Sequence, residues 1–172
     1  MKRLFYLVAT IFMAVGFTSC IGDDVNEEDF VWDDFFSYVS ENKEYIRNKK
    51  TLVGSDGKPL YEQLVVSGDT VLYRILSKSG SSTVTPTKQT VITTTLKGDL
   101  IDGTNFQPNT QMQLTPSSVI TGLQAVLLKN TVGERVEAII PASLGYGYDT
   151  SLNVPVPAGS TLIFTYVVEK FE

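Results

Sequence analysis

Chemistry in this chain has to come from few residue types. Its 172 residues include no histidine and a single cysteine, Cys20. That excludes Ser–His and Cys–His catalytic pairs and every imidazole-ligated metal, and one thiolate cannot build a zinc site. Asp99 and Asp102 are near enough in sequence to raise a carboxylate pair. Asp102 precedes Gly103, however, and Asp-Gly between extended runs reads as a hairpin turn. The acidic run over residues 23–34 lacks the ligand spacing of a calcium loop. Gly145-Tyr146-Gly147 lacks the context of a phosphate cradle. What remains there is a loop tyrosine between two glycines, where packing gives little reason for an aromatic ring. The formal net charge of −5 offers no electrostatic basis for nucleic-acid binding. The sequence therefore predicts neither a metal nor a cofactor, and most hydrolytic mechanisms lose their usual base.

The elements that would position these residues are legible in outline. Hydrophobic residues make up 42% of the chain, enough for one core. Residues 26–50 read as one helix, with acids early and Arg47, Lys49 and Lys50 late, as the helix dipole favours. Phe35 and Val39, with Val31 and Trp32 behind them, share a face that is expected to pack on the main domain. Residues 54–59 are a turn cluster read as a linker. Beyond it the pattern becomes extended. Strands are expected at 71–76, 90–96, 135–140 and 162–168, with a Ser/Thr/Gly loop at 77–86. Residues 117–130 carry Val119, Ile120, Leu123, Val126 and Leu127 at helical spacing. Several antiparallel strands with one short internal helix make an α+β domain.

Four pieces recur in order within that domain. They are Leu96-Lys97-Gly98-Asp99-Leu100-Ile101-Asp102-Gly103-Thr104-Asn105-Phe106; Val119-Ile120-Thr121-Gly122-Leu123; Val132-Gly133-Glu134-Arg135-Val136 running to Ile140-Pro141 and Gly145-Tyr146-Gly147; and Val156-Pro157-Ala158-Gly159-Ser160-Thr161-Leu162-Ile163-Phe164. No single piece is specific, but the ordered set resembles the FKBP-type peptidyl-prolyl isomerase pattern from about Asp69 to Glu172. The resemblance implies an antiparallel sheet half-wrapped around a short helix, with a pocket between them. It implies catalytic roles for Phe106, Ile120, Tyr146 and Phe164, and a substrate pocket completed by Leu96, Gln107, Val119, Leu123 and Val156. The Ile120 N–H and the Tyr146 hydroxyl would bind substrate carbonyls, and Leu123 would form the floor where the family often has Trp. Proline-containing polypeptides would be the partners. Isomerisation of this kind needs no acid, base or nucleophile, so the missing histidine does not count against it.

Two positions depart from the family pattern. Leu96 stands where the family commonly has Tyr, and Gln107 where it has Asp; a further family aromatic falls at about Thr110. The apolar cradle stays while part of its polar rim is lost. Two functions therefore remain open: an isomerase, or a non-catalytic peptide-binding module or chaperone with a degenerate pocket. A third is a structural lipoprotein acting through its acidic N-terminal helix.

The first residues carry a separate signal. Lys2 and Arg3 precede an apolar run over residues 4–17, too short to span a bilayer but as long as a signal-peptide core. Phe17-Thr18-Ser19-Cys20 then resembles a bacterial lipobox, which would make Cys20 a lipidated N-terminus. The acids that follow resemble the surface-export signal of Bacteroides-type lipoproteins. The expected organisation is a signal peptide at 1–19, a lipidated acidic tether and N-terminal helix at 20–58, and an FKBP-like domain at 59–172. The expected location is the cell envelope, with the protein held to the membrane, outer membrane included, through Cys20.

Overall fold

The computed structural model describes residues 27–149 and 156–172, with side chains from residue 32 onward. The signal peptide, Cys20, the first acids of the tether and most of the loop between Tyr148 and Val156 lie outside the described residues. Helix α1 spans Glu27–Lys50 and helix α2 spans Thr121–Leu127. The strands are β1 (Glu62–Val66), β2 (Asp69–Lys78), β3 (Ile92–Asp99), β4 (Asn105–Leu114), β5 (Glu134–Ile140) and β6 (Leu162–Phe171). They form one antiparallel sheet in the order β1-β2-β5-β6-β3-β4. Among the described residues, no helix is long and apolar enough to cross a membrane.

The four expected strands are present as β2, β3, β5 and β6. The two edge strands, β1 and β4, were not anticipated. Both are mostly exposed, and β4 mixes Gln, Asn, Thr and Pro108. The internal helix is shorter than its 117–130 pattern. Pro116–Ser118 forms a separate 3-10 turn closed by the Thr115 and Ser118 side chains. The backbone is then extended at Val119 (φ −112°, ψ 169°) and Ile120 (φ −56°, ψ 148°) before α2 begins. Two β-branched residues in succession resist helical rotamers, so the apolar periodicity runs on where the helix does not. Residues 54–59 close a tight turn, with Gly54 N–H donating to Lys58 O at 2.7 Å and Val53 bridged to Pro59. The expected linker is therefore a bonded turn.

Pairing across β5 and β6 sets Val136 opposite Tyr166, Ala138 opposite Phe164 and Ile140 opposite Leu162. These side chains share one face, here called the front, with Val71, Ile92 and Leu96, and all are buried against Leu123, Val126 and Leu127 of α2. Fully burying such a side chain contributes about 1.5–3 kcal/mol. Gly122 permits the close approach of α2, since a Cβ there would lie 2.3 Å from Ile140 Cγ2. Polar groups at the far end of this core are paired. Tyr166 donates to Asn130 Oδ1 at 2.6 Å, and the Glu134 carboxylate accepts from Thr131 N–H (3.1 Å), Thr131 Oγ1 (2.9 Å), Asn130 Nδ2 (3.2 Å) and Lys78 Nζ (3.1 Å). Burial works to raise the Glu134 carboxyl, but those bonds outweigh it and hold it below the ordinary carboxylate range.

The opposite parity faces the back. Leu72 and Ile139 pair across β2 and β5 and are buried with Tyr61, against Tyr45 and Ile46 of α1 and Leu60. Glu137 Oε1 accepts from Tyr61 OH (2.7 Å) and Arg74 Nε (2.8 Å), and the Arg74 guanidinium lies 4.9 Å from the Tyr61 ring centre. Burial, then the hydrogen bond to Glu137, pushes the Tyr61 hydroxyl far above its ordinary range. The α1 face that packs is Val39, Asn42, Tyr45 and Ile46 rather than Trp32. Trp32 is 52% exposed and stacks on Phe36, itself 62% exposed, at 6.0 Å.

Candidate functional site

A cavity of about 250 Å³ opens on the front face between β3, β4, β6 and the entry to α2. Phe106 is aimed into it by the β3–β4 hairpin. Gly103 (φ +87°) turns the chain, and Leu100 N–H donates to Thr104 O at 2.8 Å. Asp102 accepts from the Thr104 N–H (2.8 Å) and hydroxyl (3.0 Å), bonds that hold its carboxyl below the ordinary range. Asp99 bonds instead to Lys97 (2.7 Å) and to Asn105 Nδ2 (2.9 Å). The two aspartates thus serve the turn and do not converge on the cavity. Asn105 Nδ2 also reaches Gly98 O (2.9 Å) and Gln107 O (3.0 Å), fixing the residues on either side of Phe106. The Phe106 ring then lies over Gly98, where a Cβ would stand 2.5 Å from Phe106 Cζ. Gly98 pairs with Phe164 across β3 and β6, so the Phe106 ring meets Phe164 edge to face, with centroids 5.5 Å apart at 87°.

The opposite wall comes from the loops. After a 3-10 turn at Ala142–Leu144, Gly145 N–H and Gly147 N–H both donate to Ala142 O, at 3.0 and 2.8 Å. Gly147 has φ +82°. The two bonds loop the chain so that Tyr146 lines the cavity, and its hydroxyl has no hydrogen-bond partner among the described residues. Ile120 is the N-cap of α2, and its N–H likewise donates to no acceptor among the described residues. Leu123 rises from α2 as the buried floor.

Of the residues singled out from sequence, Phe106, Ile120, Tyr146, Phe164, Leu96, Gln107, Val119 and Leu123 all line this cavity. Val156 does not: it is buried in the front-face core. Leu96 is 3% exposed and brings no polar group to the wall, while Gln107 turns its amide to Pro108 O at 3.3 Å. Thr110 is exposed and donates to Pro108 O at 3.0 Å. The sequence reading missed Met112, Leu114 and Ser118, which also line the cavity. The two-residue step from Met112 to Leu114 was the signal, apolar residues alternating with Gln in β4.

Two larger cavities differ in kind. One of about 310 Å³ lies beside α1, with Lys43, Arg47, Asp69 and Tyr148 in its wall. One of about 520 Å³ runs along the sheet edge by Gln111, Gln113, Glu169 and Lys170. Neither offers convergent aromatic walls.

A family model for FKBP-type peptidyl-prolyl cis-trans isomerases matches residues 82–168, which hold every residue that lines the aromatic cavity. The chain belongs to this family. Among curated family members, the FKBP-type peptidyl-prolyl cis-trans isomerase FkpA of Buchnera aphidicola is 37% identical over 97 residues, covering 54% of this chain and 38% of that protein. An Arabidopsis thaliana peptidyl-prolyl cis-trans isomerase is 38% identical over 74 residues, covering 40% of this chain and 48% of that one. The chain thus spans less than half the length of these relatives. Among solved structures, FkpA from Escherichia coli matches with a TM-score of 0.67 at 21% identity, over 84% of this chain and 64% of that one. A peptidyl-prolyl cis-trans isomerase from Pseudomonas syringae matches with a TM-score of 0.65 at 20% identity, over 79% of this chain and 94% of that one. At these identities the structures show a shared FKBP fold with an N-terminal helix.

Proposed function

We propose that the chain is a peptidyl-prolyl cis-trans isomerase that assists the folding of exported polypeptides. One observation carries this reading. Two crossed aromatic rings, the Tyr146 hydroxyl and the Ile120 N–H meet at one apolar cavity, and both donors are unused within the described residues. Rotation about a peptide bond is opposed by amide resonance, a barrier of about 18–20 kcal/mol. Resonance separates charge, so an apolar wall favours the twisted amide over the planar one relative to water. The proline ring would sit on Leu123 between Phe106 and Phe164, while Tyr146 and Ile120 hold the flanking carbonyls. A pocket that binds the twisted form better than either planar isomer lowers the barrier with no proton transfer.

Leu96 and Gln107 favour a second reading, a peptide-binding module or chaperone whose pocket has lost its rate. Isomerisation of short X–Pro peptides by the full chain separates the two. The isomerase reading expects a rate above background, a loss of ten-fold or more in Phe106→Ala, and roughly a three- to ten-fold loss in Tyr146→Phe, the worth of one hydrogen bond. No rate above background, with peptides still bound, establishes the second reading. Activity unchanged in both variants removes the site assignment.

The setting of this activity is part of the same proposal. Cys20 carries the lipid anchor, and acyl chains contribute about 0.8 kcal/mol per buried CH₂ to membrane attachment. Metabolic labelling with a fatty acid tests it: Cys20→Ser abolishes the label. Protease treatment of intact cells then distinguishes a surface-facing protein, which is digested, from a periplasmic one, which is protected.

A further inference from the structure

The helix α1 lies outside the stretch matched by the family model, yet it is bonded to the loops that carry the site. Asn42, at the middle of its packed face, is 1% exposed. An amide at the centre of an otherwise apolar stripe costs desolvation unless each polar atom is paired. Here they are paired. Its Oδ1 accepts from Thr161 N–H at 2.7 Å, and its Nδ2 donates to Tyr38 O at 2.9 Å. Its main-chain carbonyl accepts from Thr161 Oγ1 at 3.1 Å. One turn earlier, Tyr38 OH meets Ser160 Oγ at 2.7 Å, and Ser160 Oγ donates on to Pro157 O at 2.5 Å. Between these bonds Val39 presses on Gly159 (φ +84°), where a Cβ would stand 2.5 Å from Val39 Cγ2.

The segment 157–161 is in turn tied to the tyrosine loop. Gly159 N–H donates to Gly147 O at 2.8 Å, and Gly147 N–H donates to Ala142 O at 2.8 Å. Tyr146 sits between the two glycines whose amides define its place. Thr161 leads directly into β6, which carries Phe164. Each step from Asn42 through Thr161, Gly159 and Gly147 to Tyr146 is therefore a hydrogen bond or a short stretch of chain. Among the described residues the Tyr146 hydroxyl has no hydrogen-bond partner, and the bonds that place the residue are those of this scaffold.

We propose that α1 sets the position of Tyr146 in the pocket, with Asn42 as the positioning residue. The proposal rests on the isomerase reading for its effect on rate, but not for its effect on the loop. Two measurements on the full chain test it. The first is amide hydrogen exchange. Asn42→Ala is expected to speed exchange at Gly147 and Gly159 by ten-fold or more relative to the amides of β5, which report the stability of the whole sheet. Equal changes at both places overturn the proposal, whether or not the protein isomerises anything. The second is a double-mutant cycle on X–Pro peptide turnover. Asn42→Ala is expected to lower kcat/KM by about three- to ten-fold in the native background, and by less than about two-fold when Tyr146 is already Phe, because contacting or linked residues are not additive. An equal loss in both backgrounds marks a structural role and overturns the proposal. Tyr38→Phe removes a single hydroxyl and keeps the ring. It should show the same pattern with a smaller effect, and it serves if Asn42→Ala does not fold.

Discussion

On the front of the sheet, Val136, Ala138 and Ile140 are wholly buried beneath α2, beside the aromatic cavity. On the back, the same strands show Leu72, Ile139, Arg74 and Glu137 to α1, and an ion pair shares the surface with apolar side chains. Beneath α2 the front is held by volume: Val136, Ala138 and Ile140 are interchangeable in chemistry but not in shape. The back is held by directed bonds, from Tyr61 to Glu137 and from Asn42 to Thr161. The difference suits the two tasks. A pocket that works by excluding water needs a wall with no competing polar groups. A helix that must be seated in one register needs bonds that only one register satisfies.

This contrast makes predictions that differ in size. Ile140→Ala opens a void on the front and should cost about 2–5 kcal/mol in denaturant unfolding. Tyr61→Phe on the back removes one donor from Glu137 while Arg74 still pairs with it, and should cost about 1–2 kcal/mol in the same measurement. A larger loss from Tyr61→Phe than from Ile140→Ala would reverse the assignment of roles to the two faces. Acid has a smaller effect, and it enters through Glu134. Its carboxyl is held below the ordinary range in the fold, so the stability it contributes is present above the unfolded value of about 4.3 and is lost as pH falls through the folded value. The melting temperature should therefore be level from pH 7 to about 5 and fall below about 4.5, and Glu134→Gln should flatten part of that fall. Trp32→Ser, at the exposed end of α1, should change stability by about 0.5 kcal/mol or less. A larger loss there would mean that the apolar half of α1 is packed in a way its exposure does not show.

The front face was largely legible in the sequence because burial on one face leaves a period of two. Val136, Ala138 and Ile140 alternate, and Leu162, Phe164 and Tyr166 answer them in β6. The cavity was legible by another route, the ordered motifs that resemble the FKBP pattern; of its aromatic residues, Tyr146 alone stands between glycines in the sequence. The back face left fainter traces. The edge strands β1 and β4 have mixed polar faces, and the short alternation of Met112 and Leu114 with Gln is the faint local mark of β4. Asn42 was passed over because an isolated asparagine in a charged helix reads as solvated. Only its partner Thr161, far along the chain, reveals it as buried. Val156 was misplaced by the same logic, since its motif fixed its neighbours in sequence and not the direction of its side chain.

The strand order has a consequence for how the chain comes together. β6 lies between β5 and β3 at the centre of the sheet, yet it is the last strand of the sheet to be synthesised. Until residues 162–171 are available, β5 and β3 have no common partner and the front face has no middle. The two halves, β1-β2-β5 and β3-β4, are separate ribbons, and Asn42 waits for a residue 119 positions downstream. Pairings this distant in sequence carry a loop-closure cost before any contact repays it, and they put folding among the slower small domains. The ribosome and any export channel therefore handle a chain whose sheet closes only in a late step. A chain cut short before Leu162 would leave β5 and β3 each with an unpaired edge where the finished protein has β6 between them.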